Sequence, residues 1–95
     1  FTMAEMKKAV ITVLGSDQKG IIAKVSDVLF RHDVNILDIS QTILSGLFNM
    51  VLIADISSAN CDFSALSDAL TAFGQERNLQ VRVQRSEIFE AMHQI

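Results

Sequence analysis

Between Lys8 and Leu14 the chain is almost continuously apolar, the pattern of a strand covered on both faces. Ile21, Ile22, Val25, Val28 and Leu29 then recur at helical spacing. Lys24, Asp27 and Arg31 turn outward, and the helix should end near His32-Asp33. From Asn35 to Ile43 the pattern alternates. Leu37, Ile39, Gln41 and Ile43 fall on one face and Ile36, Asp38, Ser40 and Thr42 on the other, which predicts a strand with one polar-leaning face. Ser45-Gly46 is a turn signal, and residues 47–56 read as the returning strand of a hairpin. One face of that strand carries Phe48, Met50, Leu52, Ala54 and Ile56. The other, with Leu47, Val51 and Ile53, is more apolar than a water-facing strand usually is, so something should cover it.

After the loop Ser57-Ser58-Ala59-Asn60, Asp62 is placed to cap a helix carrying Phe63, Leu66, Ala69, Leu70 and Phe73. Gly74 sits inside that pattern at a cost of about 1 kcal/mol against alanine, so it marks an early helix end or a close approach. Asn78 suits the C-terminal cap. Leu79, Val81 and Val83 alternate with Gln80, Arg82 and Gln84 as a last strand. Ile88, Phe89 and Met92 suggest a short amphipathic tail that needs a docking surface on its own subunit or a neighbour's.

The predicted architecture is therefore α+β: a ferredoxin-like βαββαβ sandwich with a short C-terminal helical tail. Its four-stranded antiparallel sheet carries two helices on one face, and the first and third strands are central. Residues 1–6 read as an added or disordered start, with Met3 or Met6 as the natural beginning, residues 7–86 as the domain and 87–95 as the tail.

Composition narrows the function classes. At 95 residues, 49% of them hydrophobic and 20% charged, the chain reads as one small globular domain. A mean hydropathy of +0.32 is high for that size, and a homodimer interface is the economical place for the excess. A net charge of −3 disfavours nucleic acid and anionic membranes as partners. The single cysteine, Cys61, excludes an internal disulfide and suits a cytoplasmic setting. No apolar run approaches the roughly 20 residues of a membrane span.

Candidate chemistry gathers at Gly15-Ser16-Asp17-Gln18-Lys19-Gly20-Ile21, between the first strand and the first helix. Two glycines bracket four polar residues, and helix-opening amides carry the positive end of a dipole. Such a loop can hold an anion or a carboxylate, and it equally serves as a bare turn. The glycine spacing is that of a phosphate-cradling loop, but Ile21-Ile22 stand where Lys-Ser/Thr is needed, and no dinucleotide fingerprint is present. His32, His93 and Cys61 have no partners at metal-ligand spacing, and no acid–base pair is legible, so neither metal, cofactor nor catalysis is expected. Lys7-Lys8 and Arg82 with Arg85 read as solvated basic ends.

Thr12-Val13-Leu14-Gly15, Asp17-Gln18-Lys19-Gly20-Ile21-Ile22 and Val34-Asn35-Ile36 resemble the ACT domain, a regulatory module that binds amino acids. Ile39-Ser40-Gln41-Thr42, Phe48-Asn49-Met50 and Ile88-Phe89-Glu90-Ala91-Met92 are similar to the free-standing members of the UPF0237 group. The resemblance spans about residues 8–85. It implies a ligand site between the loop after the first strand and the neighbouring subunit's second strand. By position, Asp17, Gln18, Lys19, Gly20 and Ile21 form the loop side and Asn35 the strand side. Lys19 stands where many amino-acid-binding members carry histidine or asparagine.

The leading functional reading is a regulatory module that binds a small, amino-acid-like metabolite. It would act as a homodimer and pass ligand occupancy to a protein partner. The alternative is a dimeric interaction module with a vestigial ligand site. A small acylphosphatase-like enzyme comes last, because that chemistry needs an arginine in the first loop and only Lys19 is there.

Overall fold

The computed structural model describes residues 7–16 and 19–85. The elements are β1 (Lys8–Ser16), α1 (Ile21–Arg31), β2 (Asn35–Leu44), β3 (Leu47–Asp55), α2 (Phe63–Arg77) and β4 (Gln80–Arg85). The strands form one sheet in the order β2-β3-β1-β4, antiparallel at each joint, so β1 and β3 are central as their apolar content requires. This is the ferredoxin-like α+β sandwich. The predicted start (1–6) and tail (87–95) lie outside the described residues.

One side of the sheet makes the core. Ile11 and Val13 of β1 and Phe48, Met50, Leu52 and Ala54 of β3 cluster with Ile21, Val25 and Leu29 of α1 and Leu66, Leu70 and Phe73 of α2. Each such large side chain contributes about 1.5–3 kcal/mol on leaving water. Tertiary burial, and not propensity, therefore holds an α1 of only 11 residues, a length marginal in isolation.

The face assignment within β2 needs correction. Ile36 lies opposite Ala54 but Asp38 lies opposite Ile53, so Leu37 is an extra residue, a β-bulge. Ile36 consequently joins Ile39, Gln41 and Ile43 on the helix-side face, where plain alternation sets it with Asp38. The run Ile-Leu-Asp-Ile fits either phase, so a count of period two cannot reveal the bulge. At the other end of β2, Ser45 (φ 53°) and Gly46 (φ 78°) both take positive φ, as a two-residue type I′ hairpin turn demands.

The helix ends follow their local chemistry. Asp62 Oδ1 accepts a 2.9 Å hydrogen bond from the Ala65 amide. Asn78 ends α2 in the left-handed conformation, with the Leu79 amide donating to the Gly74 carbonyl at 2.8 Å. Asp62→Ala is expected to cost about 1 kcal/mol in a denaturant titration while Asp62→Asn costs little, since both asparagine and aspartate can accept from the helix amides. Equal losses in the two variants would assign the effect elsewhere.

Gly15 does not bracket a turn. It lies within β1 opposite Phe48, and a Cβ there would meet Leu79 Cδ2 at 2.5 Å and Leu79 Cα at 3.3 Å. The glycine admits the connection between α2 and β4.

Candidate functional site

Lys19 and Gly20 are exposed at the opening of α1, while Asp17 and Gln18 lie outside the described residues. Gly20 is the N-cap, at φ 80° and ψ 12°, and a Cβ on it would meet nothing within 4 Å. The requirement for glycine here is therefore backbone angle and not space. Its carbonyl accepts from the Lys24 amide at 2.9 Å, closing the first turn. Gly20, as the N-cap, supplies no side-chain capping bond, and no acidic residue occupies the first turn within α1, where the positive end of the helix dipole lies. That electrostatic setting favours a carboxylate or another small anion. Ile21 is 2% exposed and packs into the core, which leaves its backbone amide as the part able to face a ligand.

Asn35 is elsewhere. It pairs with Asp55, which pairs with Lys8, whereas the exit of β1 at Ser16 pairs with Leu47, itself opposite Leu44. With about 3.3 Å per strand residue, Asn35 lies roughly 30 Å from the α1 opening along the sheet. A single chain thus assembles Lys19, Gly20 and the Ile21 amide but does not bring Asn35 to them. Beside Asn35, the Ser57 hydroxyl and then its backbone N–H, at 2.9 Å, hold the Asp55 carboxyl below its ordinary value. Those bonds close a turn.

The sequence reading placed Ile22 in the buried stripe, but it is 37% exposed. It shares a helical row with Ser26 and Phe30, and Phe30 is 78% exposed. In a right-handed β1–α1–β2 crossover Ile22 lies on the flank of α1 turned toward the β2 edge, and Phe30, about 80° further round the helix, turns out to solvent. Ile39 and Ile43 are also exposed on the helix-side face of β2, beyond the cover of α1. The unpaired edge of β2 is therefore bordered by an apolar band, legible in sequence only by asking which positions at helical spacing exceed the width of one buried face.

The remaining candidates fall to structural roles. His32 caps α1, its Nδ1 lying 2.8 Å from the Val28 carbonyl. Cys61, with Lys7, Lys8, Phe63 and Arg85, lines a cavity of about 490 Å³ at the Asn35 end of the sheet. The Arg85 guanidinium lies 5.0 Å from the centre of the Phe63 ring. Among the described residues no group of three or more His, Cys, Asp or Glu could hold a metal ion, and no helix is long and apolar enough to cross a membrane.

The sequence profile of the ACT domain family matches residues 7–84. The chain belongs to that family. A UPF0237 protein of Bifidobacterium longum is 50% identical over 90 residues, 95% of this chain and all of that protein, and places the ACT domain in the UPF0237 group. An ACT domain protein from Streptococcus pneumoniae superposes with a TM-score of 0.78 at 41% identity, over 90% of this chain and 97% of that one. The regulatory subunit of aspartate kinase from Thermus thermophilus shares the fold, with a TM-score of 0.64 at 20% identity over 84% of this chain and 52% of that one. ACT domains typically bind small molecules in regulatory roles.

Proposed function

We propose that this ACT domain binds a small, amino-acid-like metabolite as a homodimer and passes occupancy to a protein partner in the cytoplasm. The observation that carries the reading is the exposed opening of α1 at Gly20, an N-cap with no side chain of its own between the first-turn amides and an anion. Asp17, which precedes it, supplies the complementary charge for an ammonium group.

Dimerisation at the β2 edge accounts for Asn35. Antiparallel pairing of two β2 edges about a two-fold axis sets the start of one strand beside the end of the other. The second copy's Asn35 then approaches the sheet end from which the Lys19–Gly20 turn leaves. The apolar band of Ile22, Ile39 and Ile43 would be buried by the same contact. A ligand bridging the copies would change the assembly that a partner meets, which lets a module without an output domain signal. The band alone also suits the second reading, a dimeric interaction module whose loop holds nothing.

A thermal-shift screen of amino acids and related metabolites separates the two, because a ligand of the native state raises the melting temperature. With the ligand so found, calorimetry should show Gly20→Val abolishing binding. Asp17→Asn should weaken it by about 1.5–3 kcal/mol, the scale of a charged hydrogen bond, with melting temperature nearly unchanged. Unchanged affinity in both variants would leave the loop as a bare turn.

A further inference from the structure

At the sheet end remote from the α1 opening lies a cavity of about 490 Å³, separate from the site proposed above. Its volume falls within the range of small-molecule sites. Three parts of the chain build it: the start of β1 with Lys7 and Lys8, the end of β4 with Arg85, and the loop that enters α2. The ladder holds the first two together, since Arg85 lies opposite Ala9. Ile56, Ala59, Phe63 and Leu66 give the cavity an apolar wall. Lys7, Lys8 and Arg85 are exposed and stand at its mouth.

Three of the chain's eight basic residues therefore meet at one cavity, although the chain as a whole carries a net charge of −3. Asp62 is the one carboxylate among the described lining residues, and its Oδ1 is engaged by the Ala65 amide. Asp55 stands outside the lining, opposite Lys8, with its carboxyl held by the Ser57 hydroxyl and amide. Lys8 is thus partly offset, whereas Lys7 and Arg85 form no ion pair among the described residues. Even with both carboxylates counted, positive charge is in excess. The Arg85 guanidinium lies 5.0 Å from the centre of the Phe63 ring, a contact that fixes it without neutralising it and leaves its N–H fork to a ligand. Behind Asp62, the first turn of α2 carries no acidic residue and adds the positive end of a helix dipole.

We propose that this cavity binds a small phosphate monoester with an apolar body. Arg85 and Lys7 hold the phosphate, and the wall of Phe63 and Leu66 takes the body. A phosphate monoester carries about −1.5 to −2 charges near neutral pH and presents three terminal oxygens. That matches a guanidinium fork with ammonium groups beside it better than a single carboxylate does. Like charges brought to one mouth repel one another, and the anion relieves that repulsion.

The test titrates isotopically labelled full-length protein with phenyl phosphate and follows the backbone amide resonances. Saturable shifts are expected at residues 56–63 and at Arg85. Binding should be weaker for inorganic phosphate, which lacks the body, and for methyl phenyl phosphate, which has one charge fewer. Lys7→Gln with Arg85→Gln should raise the dissociation constant by roughly tenfold or more, with resonances away from the cavity unchanged. Lys19→Gln, at the α1 opening, should leave the affinity as it is. The absence of saturable shifts, equal affinity for methyl phenyl phosphate, or wild-type binding in the double variant would overturn the proposal. Shifts centred on residues 20–23 would overturn it too, while supporting an anion site at the α1 opening, so the two readings fail separately.

Discussion

Gly74→Val is expected to lower the melting temperature by roughly 4–24 °C. A Cβ at this position would lie 2.6 Å from Val81 Cγ2 and 2.9 Å from the Leu79 carbonyl oxygen. Neither neighbour yields cheaply: one is a stiff β-branched side chain on β4 and the other is backbone. Overpacking of this kind costs about 1–3 kcal/mol, and in a domain this size each kcal/mol moves the midpoint by about 4–8 °C. Gly74→Ala gains about 1 kcal/mol of helix propensity against the same clash, so a smaller net loss is expected. Gly46→Ala is the control. It has open space and φ +78°, and should lose only the conformational cost of about 1–2 kcal/mol. Alanine stabilising the protein at position 74 would mean that α2 and β4 do not approach as closely as described.

Ile39→Glu with Ile43→Glu is expected to convert a homodimer into a monomer in sedimentation at micromolar concentration. Placing unpaired carboxylates in a buried contact costs about 3–5 kcal/mol, which weakens association by roughly 150-fold or more. Both side chains are already partly exposed in the isolated chain, so the variant should fold with little loss. Lys24→Glu, on the other flank of α1, should leave the dimer intact. A wild-type protein that is itself monomeric under these conditions sinks the β2-edge interface, and a dimer that survives both glutamates moves it to another surface.

Much of this fold was legible because its signals are local. Helical spacing in Ile21–Leu29, the Ser45-Gly46 turn and the caps at Asp62 and Asn78 each act within a few residues, and the structure retains all of them. Gly74 was legible as an anomaly, but choosing between a helix end and a close approach needed the position of Val81 in three dimensions. The same holds for Gly15, whose partner Leu79 lies 64 positions further along the chain. Ile22 was misplaced because apolar character does not distinguish a core position from an exposed helix flank. At the candidate site, the Lys19-Gly20 turn opens α1, as a glycine after polar residues suggests. Asn35 can be assigned to it only through a second copy, and no pattern within one chain encodes the distance between the two ends of a strand.

The bulge at Leu37 has a consequence for changes in chain length. Deleting Leu37 would join Ile36 to Asp38 and leave each remaining residue of β2 facing the partner it already has. Removing a residue between Asp38 and Leu44 would instead transfer part of the strand to the wrong face. Leu37 is therefore the point at which this edge strand can absorb a one-residue deletion without losing register. What the deletion removes is the kink. The straightened edge would present a longer flat row of amides and carbonyls, a template for open-ended stacking.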